Sequence, residues 1–187
     1  MFSILINIII KSFKLDKSLY KDNKYFTETA IYFAASLILI TSLISIIPNT
    51  FFLEYMSVIL GKVEPPRLLS VIFSGFLAWF AKSGYLYVFG TILFANKTTQ
   101  KNFKKTLTVV GYAHAPFILN CLVINTSMLF LVVISYIWYS VTLIVGVNQL
   151  YQYKNLFKST LIVLGPIIFL LLFTIFQLST MPTGTFS

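Results

Sequence analysis

A chain of 187 residues has room for one domain, but with 58% hydrophobic and 10% charged residues it is too apolar for an ordinary soluble fold. A net charge of +9 would suggest nucleic acid in a soluble protein. Here the cations flank long apolar runs, where Lys and Arg mark the cytoplasmic side of a membrane, so no nucleic-acid partner is expected.

About 20 apolar residues make one bilayer crossing. Runs of that kind recur near 28–48, 68–95, 107–126, 127–148 and 159–178. In hydrocarbon every backbone polar group must be satisfied within its own segment, so such runs read as helices. The expected fold is an all-α integral membrane protein, a bundle of five transmembrane helices in a domain spanning 28–178. A short non-cytoplasmic tail, 179–187, follows it.

Residues 1–27 precede the first span. Met1–Ile10 is apolar but too short to cross, and it lacks the positive start of a cleaved signal. Lys11, Lys14, Lys17, Lys21 and Lys24 follow at steps of three and four, which gathers them on one side of a helix. The expectation is an interfacial amphipathic helix whose basic edge faces anionic headgroups of the lipid bilayer.

The first span is expected to end at Pro48, with a loop from Asn49 to Arg67 lying on the outer surface of the bilayer. Its Glu54 and Glu64 have no other chemistry-bearing neighbour and read as solvated charges. The second span carries Ser70, Ser74, Ala78 and Ala81 on one face, small residues that let membrane helices approach closely. It also carries Lys82 near its centre. A charge at that depth is expensive and marks a candidate functional position, and no span core holds an Asp or Glu to pair with it.

The third span contains Gly111, Tyr112, His114 and Pro116. Pro116 has no N–H to donate, which frees a carbonyl near Tyr112 that a neighbouring helix, side chain or water must satisfy. His114 is the chain's only histidine and lies about 10 Å inside the membrane at 1.5 Å per residue. Lys82, His114, Pro116, Gly111 and Tyr112 together form the candidate polar patch. A turn at Asn125–Ser127 leads into the fourth span, rich in Ser135, Tyr136, Trp138, Tyr139, Ser140 and Thr142, which points to interhelical hydrogen bonding. Cys121 reads as small apolar packing.

The N-terminal segment has five Lys, the 96–105 loop four and the 149–158 loop two, against Lys62 and Arg67 on the other side. The N-terminus is therefore expected in the cytoplasm and, with five spans, the C-terminus outside. Lys101–Gly111 and Lys154–Gly165 also match at eight of eleven positions once Leu156 is skipped. That suggests two related hairpins in the same orientation.

Phe103-Lys104-Lys105-Thr106-Leu107 leading into Gly111-Tyr112-Ala113 and Pro116, with Trp138-Tyr139-Ser140, Gly146-Val147 and Pro166 beyond, resembles the Yip1 domain family. The likeness covers roughly residues 68–170. It implies five spans, a cytoplasmic N-terminus and no known catalysis, with eukaryotic members acting as trafficking adaptors that contact small GTPases. Lys82 and His114 are not carried over from it. Motifs of zinc proteases, serine hydrolases and phosphate loops are absent, and no cofactor or metal is expected. A membrane adaptor or assembly factor, with a membrane-protein partner or a second copy of itself, is the first expectation. A small transporter or channel built around Lys82 and His114 is the second.

Overall fold

The computed structural model describes residues 2–60, 67–95, 99 and 102–180. Its elements are α1 (Phe2–Phe13), α2 (Ser18–Lys21), a 3-10 turn (Asn23–Tyr25), α3 (Ala30–Ile44), α4 (Ile46–Leu60) and α5 (Leu68–Val88). A π turn (Phe89–Leu93) extends α5. Then come α6 (Phe103–Ala113), a 3-10 run (Ala115–Leu122), a 3-10 turn (Thr126–Met128), α7 (Phe130–Tyr151) and α8 (Leu156–Thr180). Lys62, Glu64, Lys97, Lys101 and the tail from Met181 lie outside the described residues.

Among those residues, four helical stretches are long and apolar enough to cross a bilayer: Ala30–Leu53, Leu68–Leu93, Thr126–Tyr151 and Leu156–Ile175. They overlap the first, second, fourth and fifth expected spans, the first running past Pro48 to Leu53. The third, 107–126, is not one helix. Its α6 stops at Ala113 and continues as the eight-residue 3-10 run.

This composite segment still runs antiparallel along α7. Thr106 and Tyr151 share a hydroxyl hydrogen bond of 2.9 Å, and Val109 packs on Gly146. The His114 ring stands 4.7 Å from that of Tyr139, and Phe117 meets Tyr136 at 4.9 Å. The pairing travels from Tyr151 back to Tyr136, about 22 Å at 1.5 Å per residue. Every residue from Thr106 to Ala113 is buried, so α6 is the axis of the bundle, with α3, α5 and α7 around it. Gly111 is what allows α3 so close: a Cβ there would overlap the Ala34 side chain and lie 2.9 Å from Ala34 Cα.

Two expectations are corrected. The loop from Asn49 is helical through Leu60. Pro48 is the third residue of α4, in the first turn where a missing N–H breaks no helical bond, so it opens a helix instead of closing one. Across the junction Ser45 N–H still reaches Thr41 O at 2.9 Å, and Asn49 N–H reaches Ser45 O at 3.2 Å. The N-terminal segment, in turn, is not one basic helix lying on the bundle. Its helix ends at Phe13 and Leu15 turns the chain with φ 52°, so Lys11 falls on α1, Lys14 and Lys17 in the connecting turn, Lys21 on α2 and Lys24 on the 3-10 turn. Ile8 and Ser12 are fully buried against α6 and the 3-10 run, and Leu19, Tyr20 and Tyr25 join the same core.

The basic segments meet at one end of the bundle. Lys105 lies 5.5 Å from the Phe26 ring, and Lys21, Asn23, Gln149 and Gln152 surround the same depression. Asn102 accepts from Lys105 N–H at 3.1 Å where α6 starts, and Asn155 accepts from Phe157 N–H at 2.9 Å where α8 starts. These asparagines occupy matching positions in the internal repeat, and each supplies a free helix-start N–H with a side-chain acceptor. The α7 chain end between them closes with Gln152 in the left-handed conformation, φ 54°.

Candidate functional site

The site begins with the break at Pro116. Without its N–H, the carbonyl four residues back, Tyr112 O, has no helical donor. Ser12 from α1 provides one, its hydroxyl donating at 3.1 Å. The Tyr112 hydroxyl donates in return to Tyr25 O at 3.0 Å. The N-terminal segment is thus fastened to the central span at two points, both through Tyr112.

One step earlier the backbone has already tightened. His114 N–H bonds Gly111 O at 3.1 Å, a three-residue step that leaves Val110 O without its usual partner. The His114 ring supplies it, with Nδ1 at 2.7 Å from Val110 O. A carbonyl only accepts, so Nδ1 carries the proton and Nε2 is the nitrogen left for other work.

The His114 ring faces the edge of Tyr139, and Lys82 Nζ sits 4.6 Å over the same Tyr139 ring. Tyr139 therefore stands between the two ionisable residues and joins three elements, α5, α7 and the α6 break. The ring face attracts an ammonium group by its quadrupole. Lys82 has no acidic counterpart at this depth, since no Asp or Glu occurs in any of the helices that surround it. The Tyr139 hydroxyl is buried without a protein hydrogen-bond partner, as are Ser83 Oγ and Asn120 Oδ1. Groups of that kind in a membrane interior call for water, a ligand or a moving side chain.

The five-residue patch expected from the sequence is therefore divided. Lys82 and His114 come together through Tyr139. Gly111 faces Ala34, Tyr112 faces the N-terminal segment, and Pro116 is buried as the cause of the break. Tyr139 and Ser12 were not singled out. Tyr139 was visible as one of several aromatic and hydroxyl residues in its span. Ser12 had no local signal.

The basic edge is also divided. Lys14, Lys17, Lys21 and Lys24 are exposed. Lys11 is turned inward, in an ion pair with Asp16 at 3.2 Å and a hydrogen bond to Ser18. Asp16 accepts from Ser18 N–H at 2.9 Å. That backbone bond, then the Ser18 hydroxyl and then Lys11, hold its carboxyl below the usual range. The small-residue face of α5 is open: Ser70, Ser74 and Ala78 line a groove of about 520 Å³ with Ser42, Ser45 and Asn49. The close approach of α5 to α3 is made at Gly75, beside Ser42.

Long apolar helices around a buried, proline-broken segment define a multi-pass α-helical integral membrane protein. A family model described as the Yip1 domain matches residues 6–177, and the chain belongs to that family. No curated protein matches it, and no solved structure does.

Proposed function

We propose that the protein is a non-catalytic membrane adaptor or assembly factor, with its basic end in the cytoplasm and its C-terminus on the far side. The observation that carries this reading is the double fastening of the N-terminal segment through Tyr112. It converts a lysine-bearing segment into a fixed platform, so that Lys14, Lys17, Lys21 and Lys24 are held in one arrangement toward anionic headgroups or an acidic partner. A platform ordered in advance binds with less entropy loss than a free tail.

Cross-linking in native membranes tests it. Replacing those four lysines by Gln should remove a cross-linked protein partner while expression stays normal. Unchanged cross-links would sink the adaptor reading.

The carrier reading is favoured by a different observation, the Lys82–Tyr139–His114 cluster with its buried hydroxyl. It expects His114→Ala or Lys82→Ala to abolish proton entry into dye-loaded proteoliposomes. If the intact protein moves no protons under an imposed pH gradient, the cluster is not a proton path.

A further inference from the structure

Lys82 is a charge without a counter-charge. It stands about 21 Å from Leu68 and about 17 Å from Leu93 along its span, at 1.5 Å per residue. A helical side chain leans toward the N-terminus of its helix, here the farther end, so the ammonium group does not reach the nearer interface. Its seat over the Tyr139 ring, near the middle of α7, keeps it at that depth. The ring offers a quadrupole but no net negative charge. Among the described residues Lys82 makes no ion pair and no hydrogen bond.

The chain has five acids, Asp16, Asp22, Glu28, Glu54 and Glu64, and none lies inside a membrane-crossing segment. A second copy therefore brings no carboxylate to this depth. Lys82 is exposed on the side of the bundle. Leu77 and Phe80 on α5, and Tyr136 and Ile137 on α7, are exposed as well, so its surroundings are lipid and not an aqueous vestibule. Small residues lead up to it. Ser70, Ser74, Ala78 and Lys82 follow one another at steps of four, all exposed, and the first three line the groove beside Ser42, Ser45 and Asn49. The Ser70 and Ser74 hydroxyls are spent on their own helix, donating to Arg67 O at 2.6 Å and Val71 O at 2.9 Å. This face lets another helix come close, and Lys82 at its end selects which one.

We propose that it docks a membrane-spanning helix of a different protein, whose carboxylate near mid-membrane pairs with Lys82. The inference rests on the adaptor reading and names that partner by its chemistry. Pairing replaces two lone charges in hydrocarbon, each costly, by one neutral pair. Phospholipid does not substitute, because the middle of a core about 30 Å thick is about 15 Å from either headgroup layer.

A designed helix tests the site without the natural partner. It is a labelled segment of about 20 Leu and Ala residues with one central Asp, Asn or Lys. Each version is reconstituted with the full-length protein in dioleoylphosphatidylcholine vesicles, and energy transfer reports association. The Asp helix should bind about tenfold tighter than the Asn helix, the order of one polar contact between membrane helices. Lys82→Met should abolish that preference, and Ala78→Phe, which fills the groove, should weaken binding of the Asp helix. Lys82→Asp should reverse the preference toward the Lys helix, a reversal that a merely structural lysine does not produce. Should that variant fail to insert, an Asp one turn from the end of the probe should bind no better than the Asn helix.

Equal binding of the Asp and Asn helices, or a preference undiminished in Lys82→Met, would overturn the proposal. So would a Lys82-dependent dimer of the protein without the probe. The probe has no cytoplasmic part, so replacing Lys14, Lys17, Lys21 and Lys24 by Gln should leave the preference intact. A preference that holds while the native-membrane cross-links ignore those lysines sinks the platform and keeps the docking site. No preference, with cross-links that do depend on them, sinks the docking site and keeps the platform.

Discussion

Two prolines, two helices and two outcomes make the most instructive contrast in the molecule. Pro116 and Pro166 each free a carbonyl four residues back, and in each case a hydroxyl from another element caps it: Ser12 on Tyr112 O and Tyr85 on Ile162 O. Yet α6 stops and becomes a 3-10 run, while α8 continues as an α-helix through its proline. The difference lies in the surroundings. α6 is enclosed by α1, α3, α5 and α7, so protein groups such as the His114 ring can take over the bonds that the tighter backbone abandons. α8 faces lipid along much of its length, and lipid offers no hydrogen-bond partner to an irregular backbone. A proline permits a break, but only a protein environment lets the break be used.

The largest expected effect sharpens the contrast between enclosed and open glycines. Gly111→Val should destabilise by ~3 kcal/mol, because the side chain would enter the α3 backbone. Gly165→Ala meets only ordinary contact and should stabilise by about 0.5 kcal/mol through helix propensity. Unfolding in mixed detergent micelles followed by circular dichroism measures both; similar values would erase the distinction.

Next in size come the caps themselves. Ser12→Ala and Tyr85→Phe should each cost about 1–2 kcal/mol by orphaning a carbonyl. The two should then respond differently to removal of the proline. In α8, Pro166→Ala returns an N–H to Ile162 O, so Tyr85→Phe becomes nearly silent on that background. In α6, the new N–H at 116 turns to Ala113 O in the 3-10 pattern, and Ser12→Ala stays costly. Double-mutant cycles with equal coupling at both prolines would refute the environmental explanation.

Smaller again is Tyr139. Replacing Tyr139 by Phe deletes a buried hydroxyl with no protein partner and keeps the ring under Lys82, so stability should stay within about 0.5 kcal/mol. Tyr139→Leu also loses the contact with the ammonium group, for a further ~1 kcal/mol. A marked loss in the Phe variant would mean that the hydroxyl is engaged by water or ligand.

The smallest effect concerns the N-terminal turn. The carboxyl of Asp16 is held below its ordinary value by Ser18 N–H first, so its contribution is present above that ordinary value. It disappears as pH falls through the depressed one. The amide resonance of Ser18 should titrate below about pH 3.9, the free carboxyl value. The step should vanish in Asp16→Asn.

What could be read in the sequence follows the same division. Four spans were legible because apolar length alone forces a helix where lipid surrounds it. The freed carbonyl near Tyr112 was legible because proline chemistry is local. Its donor was not, because Ser12 is a hundred residues away in the chain. α1 is apolar on most of its circumference, and such a helix gives the same pattern whether it lies on headgroups or against a bundle. Pro48 reads as a stop in the sequence because position within a helix, first turn or interior, is not written in the residue itself. Lys82 and His114 were found from the cost of polar groups in a membrane. Their meeting over Tyr139 depended on helix rotation and crossing, which apolar patterns do not encode.

The fastening of Ser12 to Tyr112 also sets an order of events during synthesis. Ser12 leaves the ribosome a hundred residues ahead of its acceptor, which at 5–20 residues per second is a wait of about 5–20 s. Through that interval Ile8 and Ser12 have no seat in the bundle. The N-terminal helix is made first and docked late, so its closure reports that the central span has arrived.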